Sequence, residues 1–215
     1  MPTETTDLDL GGVSVERDVE VPMRDGTALR ADVYRPADAG PHPVLLQRTP
    51  YDKTVAQALV YQHPAWYARH GYVVAIQDTR GRYASGGDFE PYRTEAADGA
   101  DSVAWAAGLD GTTGQVGTFG FSYPGAVQLL AAAEQPRGLA CAIPGFTGND
   151  FFDGWTYTGG AFNHAFILSW LIQFLGIPDA LRAGKRDAAL HLAGLAVQFP
   201  GVYGQQPLTE FAALR

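Results

Sequence analysis

Cysteine is almost missing from this chain: Cys141 is the single one in 215 residues. No disulfide framework can form within it. Basic residues are scarce too. The chain has 15 Lys+Arg against 23 Asp+Glu, for a formal net charge of −8. No Lys/Arg cluster interrupts that acidic balance, which argues against nucleic acid and anionic membrane as partners. Met1 to Gly12 is polar and acidic, with neither the basic start nor the apolar core of a secretory signal. The longest apolar stretch, Phe162 to Ile177, contains Asn163, His164 and Gln173. It falls short of the ~20 residues that span a bilayer, so a buried helix is expected there. No His/Cys cluster and no acidic metal-loop spacing occur, so no metal or other cofactor is expected. A soluble, cytoplasmic protein is the expectation.

What is present is ordinary globular material, 46% hydrophobic and 12% aromatic. The length suits one domain, or one domain plus part of another. Val15 to Val21 alternates charged and apolar residues, as a half-exposed strand does. Asp25-Gly26 marks a hairpin turn, and Thr27 to Tyr34 is the returning strand. Pro43–Gln47, Tyr72–Gln77, Gln115–Phe119 and Leu139–Ile143 read as buried strands. Between them, Ala65–His70, Thr94–Ala107 and Pro124–Glu134 read as helices, the second with Thr94 as N-cap and Ala97, Ala100 and Ala104 on one face. A hairpin followed by alternating strands and helices predicts an α/β fold with a mostly parallel sheet. Beyond Gly145 the character changes. Residues 149–160 are rich in glycine and aromatics, and two helices follow, near 162–175 and 179–198. The expected organisation is a tail over 1–14, an α/β portion over 15–148 and a helical segment over 149–215.

The strand-to-helix junction reads Gly120-Phe121-Ser122-Tyr123-Pro124-Gly125-Ala126. A serine stands between an apolar strand and a small-residue helix, which is the context of a nucleophile elbow. Such a turn exposes the hydroxyl through a strained backbone, and only small residues fit where strand and helix cross. Pro124 fits the first helical turn, which has no intrahelical N–H bond to lose. The helix N-terminus favours a developing oxyanion. Pro124 breaks the strict G-x-S-x-G pattern. On these residues alone, a tight turn that merely carries a serine remains the alternative.

Other segments add to the elbow. They are residues 21–29 (VPMRDGTAL), 32–36 (DVYRP), 48–53 (RTPYDK), 77–81 (QDTRG) and 85–89 (SGGDF). In this order, with Gly120–Gly125, they resemble the CocE/NonD and Xaa-Pro dipeptidyl-peptidase (S15-type) serine hydrolases over about residues 15 to 155. The resemblance implies an α/β-hydrolase fold, followed by the start of a helical cap at 149–215. It implies Ser122 as the acylating nucleophile, and the backbone N–H of Tyr123 and the phenol of Tyr51 as oxyanion donors. It implies cleavage of ester or amide bonds in small molecules through an acyl-serine, with esterase the preferred reading.

A serine needs a base, and the base needs an orienting carboxylate. In the resembled family both follow later strands, beyond the cap. Here His164 and His191 fall in expected helices, and Asp150, Asp153, Asp179, Asp187 and Glu210 follow no buried strand. No residue of the chain is therefore assigned as triad acid or base. The expectation is a fragment of a longer hydrolase that alone turns over little. The alternative is a non-catalytic module that self-associates or binds a completing chain. Asp78 and Arg80 are expected in structural ion pairs. Glu95, Asp98 and Asp101 are expected on a solvated or capping helix face. The aromatics of 149–157 are expected to line an acyl pocket or a core, and Cys141 to be buried in its strand.

Overall fold

The computed structural model describes residues 10–55, 61–198, 201, 203 and 204. The tail through residue 9 and Glu210 lie outside them. The chain divides into two compact units, Met1–Asn149 and Asp150–Arg215.

The first unit is built on one sheet of strands β1 (Ser14–Pro22), β2 (Ala28–Arg35), β3 (His42–Thr49), β4 (Val73–Asp78), β5 (Thr112–Phe121) and β6 (Leu139–Gly145). Their spatial order is β1-β2-β4-β3-β5-β6. The hairpin strands β1 and β2 pair antiparallel, and β2 joins β4 antiparallel. The pairs β3–β4, β3–β5 and β5–β6 are parallel. Strand β4 is buried along its whole length, and its period-two alternation shows why. Val73 and Ala75 enter one apolar cluster with Val44, Leu46 and Val103. Val74 and Ile76 enter another with Tyr34, Ala65 and Ala68. The first cluster is closed by α2 (Glu95–Ala107) and the second by α1 (Pro64–Arg69). Helix α3 (Tyr123–Ala133) follows β5 directly.

Several expectations change. Strand β6 is an edge strand among the described residues, and it is not buried: Ile143 is 59% exposed and Cys141 is exposed. Helix α3 packs against it, yet most of the strand's residues stay at the surface. Thr94 precedes α2 in a helical conformation and makes no capping hydrogen bond through its side chain. The buried face of α2 carries Gly99, Ala100, Val103 and Ala106, whereas Ala104 is exposed. Alanine marks a helix face weakly, and here the polar Glu95, Asp98 and Ser102 share the buried side.

In the second unit a short hairpin pairs β7 (Tyr157–Thr158) with β8 (Ala161–Phe162). Helix then runs from His164 to Arg182 without the expected break near Pro178. Its segments are α4 (His164–Trp170), a π-helical turn (Leu171–Gly176) and α5 (Ile177–Arg182). The wider π turn, in which the Ile177 N–H reaches back to Ile172, accommodates a proline that offers no N–H of its own. This helix is long and apolar enough, by length and composition only, to cross a membrane. Only one face is buried, at Leu168, Ile172, Leu175 and Ala180, while Phe166, Phe174 and Leu181 lie at the surface, so the helix is not the wholly buried one expected. Helix α6 (Arg186–Val197) completes the unit, whose small core joins Leu168 and Ile172 to Leu192 and Leu195.

Candidate active site

Ser122 is the single residue between β5 and α3. Its backbone has φ 65° and ψ −121°, which a non-glycine residue adopts only under strain. The turn is tied down on every side. The Ser122 N–H donates to the Gly145 carbonyl at 2.9 Å, at the end of β6. The Ser122 carbonyl accepts from Gly125 and Ala126. A Cβ on Gly120 would lie 2.4 Å from Pro124 Cβ. One on Gly125 would lie 2.8 Å from the Gly145 carbonyl oxygen. The small residues that the sequence reading required are therefore required by contact. The Ser122 side chain is half-buried and has no hydrogen-bond partner among the described residues.

Gln128, buried in α3, was not singled out from sequence. Its Nε2 donates to the Pro124 carbonyl at 2.8 Å, and its Oε1 accepts from the Ile143 N–H at 3.0 Å and from Thr118 Oγ1 at 3.2 Å. It thus fastens the elbow helix to β5 and β6. The visible signal was a lone amide in an otherwise apolar helix.

Tyr123 opens α3, so its N–H belongs to the set that a helix leaves for outside acceptors. Its side chain turns down into the protein and is 1% exposed. The phenol donates to Glu95 Oε1 at 2.9 Å and accepts from the Tyr92 N–H at 3.1 Å. Burial first, and then the Glu95 charge, push its ionisation far above the ordinary tyrosine value. Glu95 in turn pairs with Arg48 at 2.8 Å, and Arg48 Nε donates to Gln77 Oε1 at 2.7 Å. Arg48, Gln77 and Glu95 are all buried. This corrects the solvated face expected for α2: Glu95 and Asp98 are 1% and 2% exposed and both bind arginine. Asp101, partly exposed, binds Arg24. Breaking a pair such as Arg48–Glu95 by removing one partner costs about 3–5 kcal/mol, because a buried charge is left uncompensated. The floor under Ser122 and Tyr123 is therefore charged and interlocked.

Tyr51 follows the end of β3, the strand that lies directly beside β5. Its half-buried ring makes an edge contact with the Tyr123 ring at 6.5 Å. The structure thus brings Tyr51 and the Tyr123 side chain together at the strand ends that carry Ser122. Behind Tyr51, Lys53 is buried among Asp18, Asp32 and Asp78, with Nζ at 2.7, 3.7 and 3.4 Å from their carboxylates. Burial works to lower the Lys53 ammonium, but the Asp18 hydrogen bond and the Asp78 and Asp32 charges leave it raised. Burial pushes the Asp78 carboxyl up, against the Lys53 N–H and charge. Asp78 and Arg80 do sit in structural ion pairs, Arg80 with Asp98 and Asp25.

The histidines of the first unit have other contacts. His42 Nδ1 meets the Gly71 carbonyl, His63 caps α1, and His70 Nδ1 meets the Trp66 carbonyl. Among the described residues no group of three His, Cys, Asp or Glu side chains could hold a metal ion.

A family model described as X-Pro dipeptidyl-peptidase (S15 family) matches residues 25–210. A cocaine esterase of Rhodococcus sp. (strain MB1 Bresler) is 40% identical over 207 residues, which is 93% of this chain and 36% of that protein. The crystal structure of a CocE/NonD family hydrolase from Staphylococcus aureus is similar with a TM-score of 0.68 at 28% identity, over 74% of this chain and 32% of that one. An alpha-amino acid ester hydrolase is similar with a TM-score of 0.65 at 26% identity, over 81% of this chain and 32% of that one. The chain spans roughly a third of the length of each of these relatives.

Proposed function

The chain belongs to the X-Pro dipeptidyl-peptidase (S15) family of hydrolases, and from that membership we propose that it encodes the acylating half of a serine hydrolase for small esters or amides. The observation that carries the reading is the strained Ser122 between β5 and α3, at φ 65°. In the proposed acylation, Ser122 Oγ adds to the substrate carbonyl carbon while its proton leaves to a base. The carbonyl oxygen becomes an oxyanion, held by the Tyr123 N–H and the Tyr51 phenol. Collapse re-forms the carbonyl and breaks the bond to the leaving alcohol or amine, which takes up the proton. Water then repeats the addition on the acyl-serine and releases the acid. One oxyanion donor contributes ~3–4 kcal/mol of transition-state stabilisation. Esterase is the preferred label, with a modest apolar acyl group.

The base and its carboxylate are assigned to no residue of this chain. The proposal places them on sequence or a partner chain that completes the fold. Removal of triad members leaves only oxyanion-hole and binding catalysis. The chain alone should therefore react with a fluorophosphonate slowly, with the adduct on Ser122. Intact mass reads this directly, with Ser122→Ala as control. An adduct that persists in Ser122→Ala would overturn the reading. Steady ester turnover at triad-like rates would overturn the assignment of the base elsewhere.

A second reading, a non-catalytic assembly module, draws on two observations. Ser122 Oγ has no hydrogen-bond partner among the described residues, and the apolar β6 edge is exposed. No adduct at all in a folded sample favours it.

A further inference from the structure

Tyr51 carries a role that depends on where its phenol points, and its backbone is held with unusual completeness. The peptide that leads into it joins Pro50 to Tyr51, and both polar groups of that one plane are engaged. The Pro50 carbonyl accepts from Arg82 Nε at 2.9 Å. The Tyr51 N–H donates to Thr49 Oγ1 at 3.1 Å. Just upstream, the Thr49 carbonyl accepts from the Thr79 N–H at 3.0 Å. Just downstream, the Lys53 N–H donates to Asp78 Oδ1 at 2.7 Å. Three of these four bonds come from residues 78–82, the end of β4 and the loop that follows it. Arg82 is itself 2% exposed, and its guanidinium lies 5.3 Å from the Tyr83 ring centre and 5.0 Å from that of Phe89. Its loop is braced in turn, since Ser85 Oγ donates to the Asp78 carbonyl at 2.7 Å.

We infer that the Asp78–Arg82 loop is a clasp that positions the Tyr51 phenol for the oxyanion, with Arg82 and Thr49 as its positioning residues. The inference rests on the reading of Tyr51 as an oxyanion donor. A charge-assisted bond from a buried guanidinium is stronger and more directional than a neutral one. Pro50 fixes φ one bond before that plane. With that plane held, the N–Cα axis of Tyr51 is fixed, and the Lys53 bond to Asp78 just downstream limits rotation about it. Asp52, at φ 83°, turns the chain away immediately afterwards. Position matters here because a 1 Å misplacement of a catalytic group costs on the order of a hundredfold in rate. Neither Arg82 nor Thr49 needs to touch substrate.

The test places 3-fluorotyrosine at position 51 alone in the full chain and follows its 19F resonance. Arg82→Met removes the clasp donor and keeps the aliphatic stem. Thr49→Val removes the side-chain acceptor and is nearly isosteric, so it keeps the question open to test if Arg82→Met does not fold. Arg24→Met, which removes only the ion pair to Asp101, is the control. The expected result is a single narrow line that shifts or broadens in Thr49→Val and Arg82→Met and stays put in Arg24→Met. An unmoved line in folded Thr49→Val overturns the inference. The rate of fluorophosphonate addition to Ser122 supplies the second readout. Thr49→Val should slow it about tenfold, and should slow it no further in a Tyr51→Phe background, because residues acting through one group are not additive. Equal slowing in both backgrounds means a general structural role and overturns the inference. If no variant takes up the reagent at Ser122, the hydrolase reading fails, and the fluorine line alone decides the clasp.

Discussion

Single charges in this chain are set by their partners. Asp25 is the plainest case. Its carboxyl lies at the surface of the hairpin turn, yet the Arg80 guanidinium first, and then the Thr27 N–H, pull it down to about 2. A lowered folded-state value means that the charged form is favoured by folding. That contribution is complete above the unfolded value of about 3.9 and is lost as pH falls from there toward 2. Carboxyl 13C NMR should therefore show Asp25 titrating near 2, and in Arg80→Met it should return to the ordinary carboxylate range. An ordinary midpoint in the parent chain would contradict the pairing. Tyr123 shows the opposite direction. Its buried phenol, donating to Glu95, stays protonated well past the ordinary tyrosine value. Ionisation is thereby kept off the residue whose N–H adjoins the nucleophile.

At the scale of elements, the junction of β5 and α3 is the most constrained segment. Gly120→Ala should destabilise the first unit by ~1–3 kcal/mol, since the new methyl overlaps Pro124 and one of the two must move. Urea unfolding measures this, and a change within a few tenths of a kcal/mol would show that the crossing yields more easily than its geometry says. This element was legible before any coordinates. Period-two alternation in β1, the apolar runs of β3, β4 and β5, and the small residues around Ser122 all state local requirements. What sequence did not reveal is set by neighbours far along the chain. Glu95 reads as a helix-surface carboxylate until Arg48, 47 residues earlier, is placed beneath it. Arg82 reads as one more charge in a glycine-rich loop until Pro50 meets it. Leu139–Ile143 has the composition of a central strand, but burial depends on what lies beside a strand, and β6 is an edge among the described residues, with β5 on one side and α3 packed against it. The break expected between 175 and 179 is absent, because a compensating π turn leaves no mark in composition.

For the whole molecule, the uncovered β6 edge is the feature with physical consequences. An exposed strand edge offers unpaired donors and acceptors to any other strand. Here Ile143 is exposed on that strand, and the Phe146 ring stacks on Phe121 at 5.2 Å just beyond it. The chain should associate in a concentration-dependent way, and Ile143→Lys should shift sedimentation toward the monomer without altering the first unit's circular dichroism. A parent chain that stays monomeric at high concentration would show that this edge is protected by means other than burial. The site loops belong to the same scale. Asp52, Tyr83, Tyr92, Ser122 and Phe146 all have positive φ without being glycine, and all lie in the turns and loops that follow strands.

For Ser122 that geometry has an evolutionary meaning. Glycine would occupy φ 65° without the ~1–3 kcal/mol that strained non-glycine backbone costs. A lineage screened only for keeping its fold would drift toward glycine at this corner. On the proposed function, Ser122→Gly should relax the corner and stabilise the first unit while removing the nucleophile.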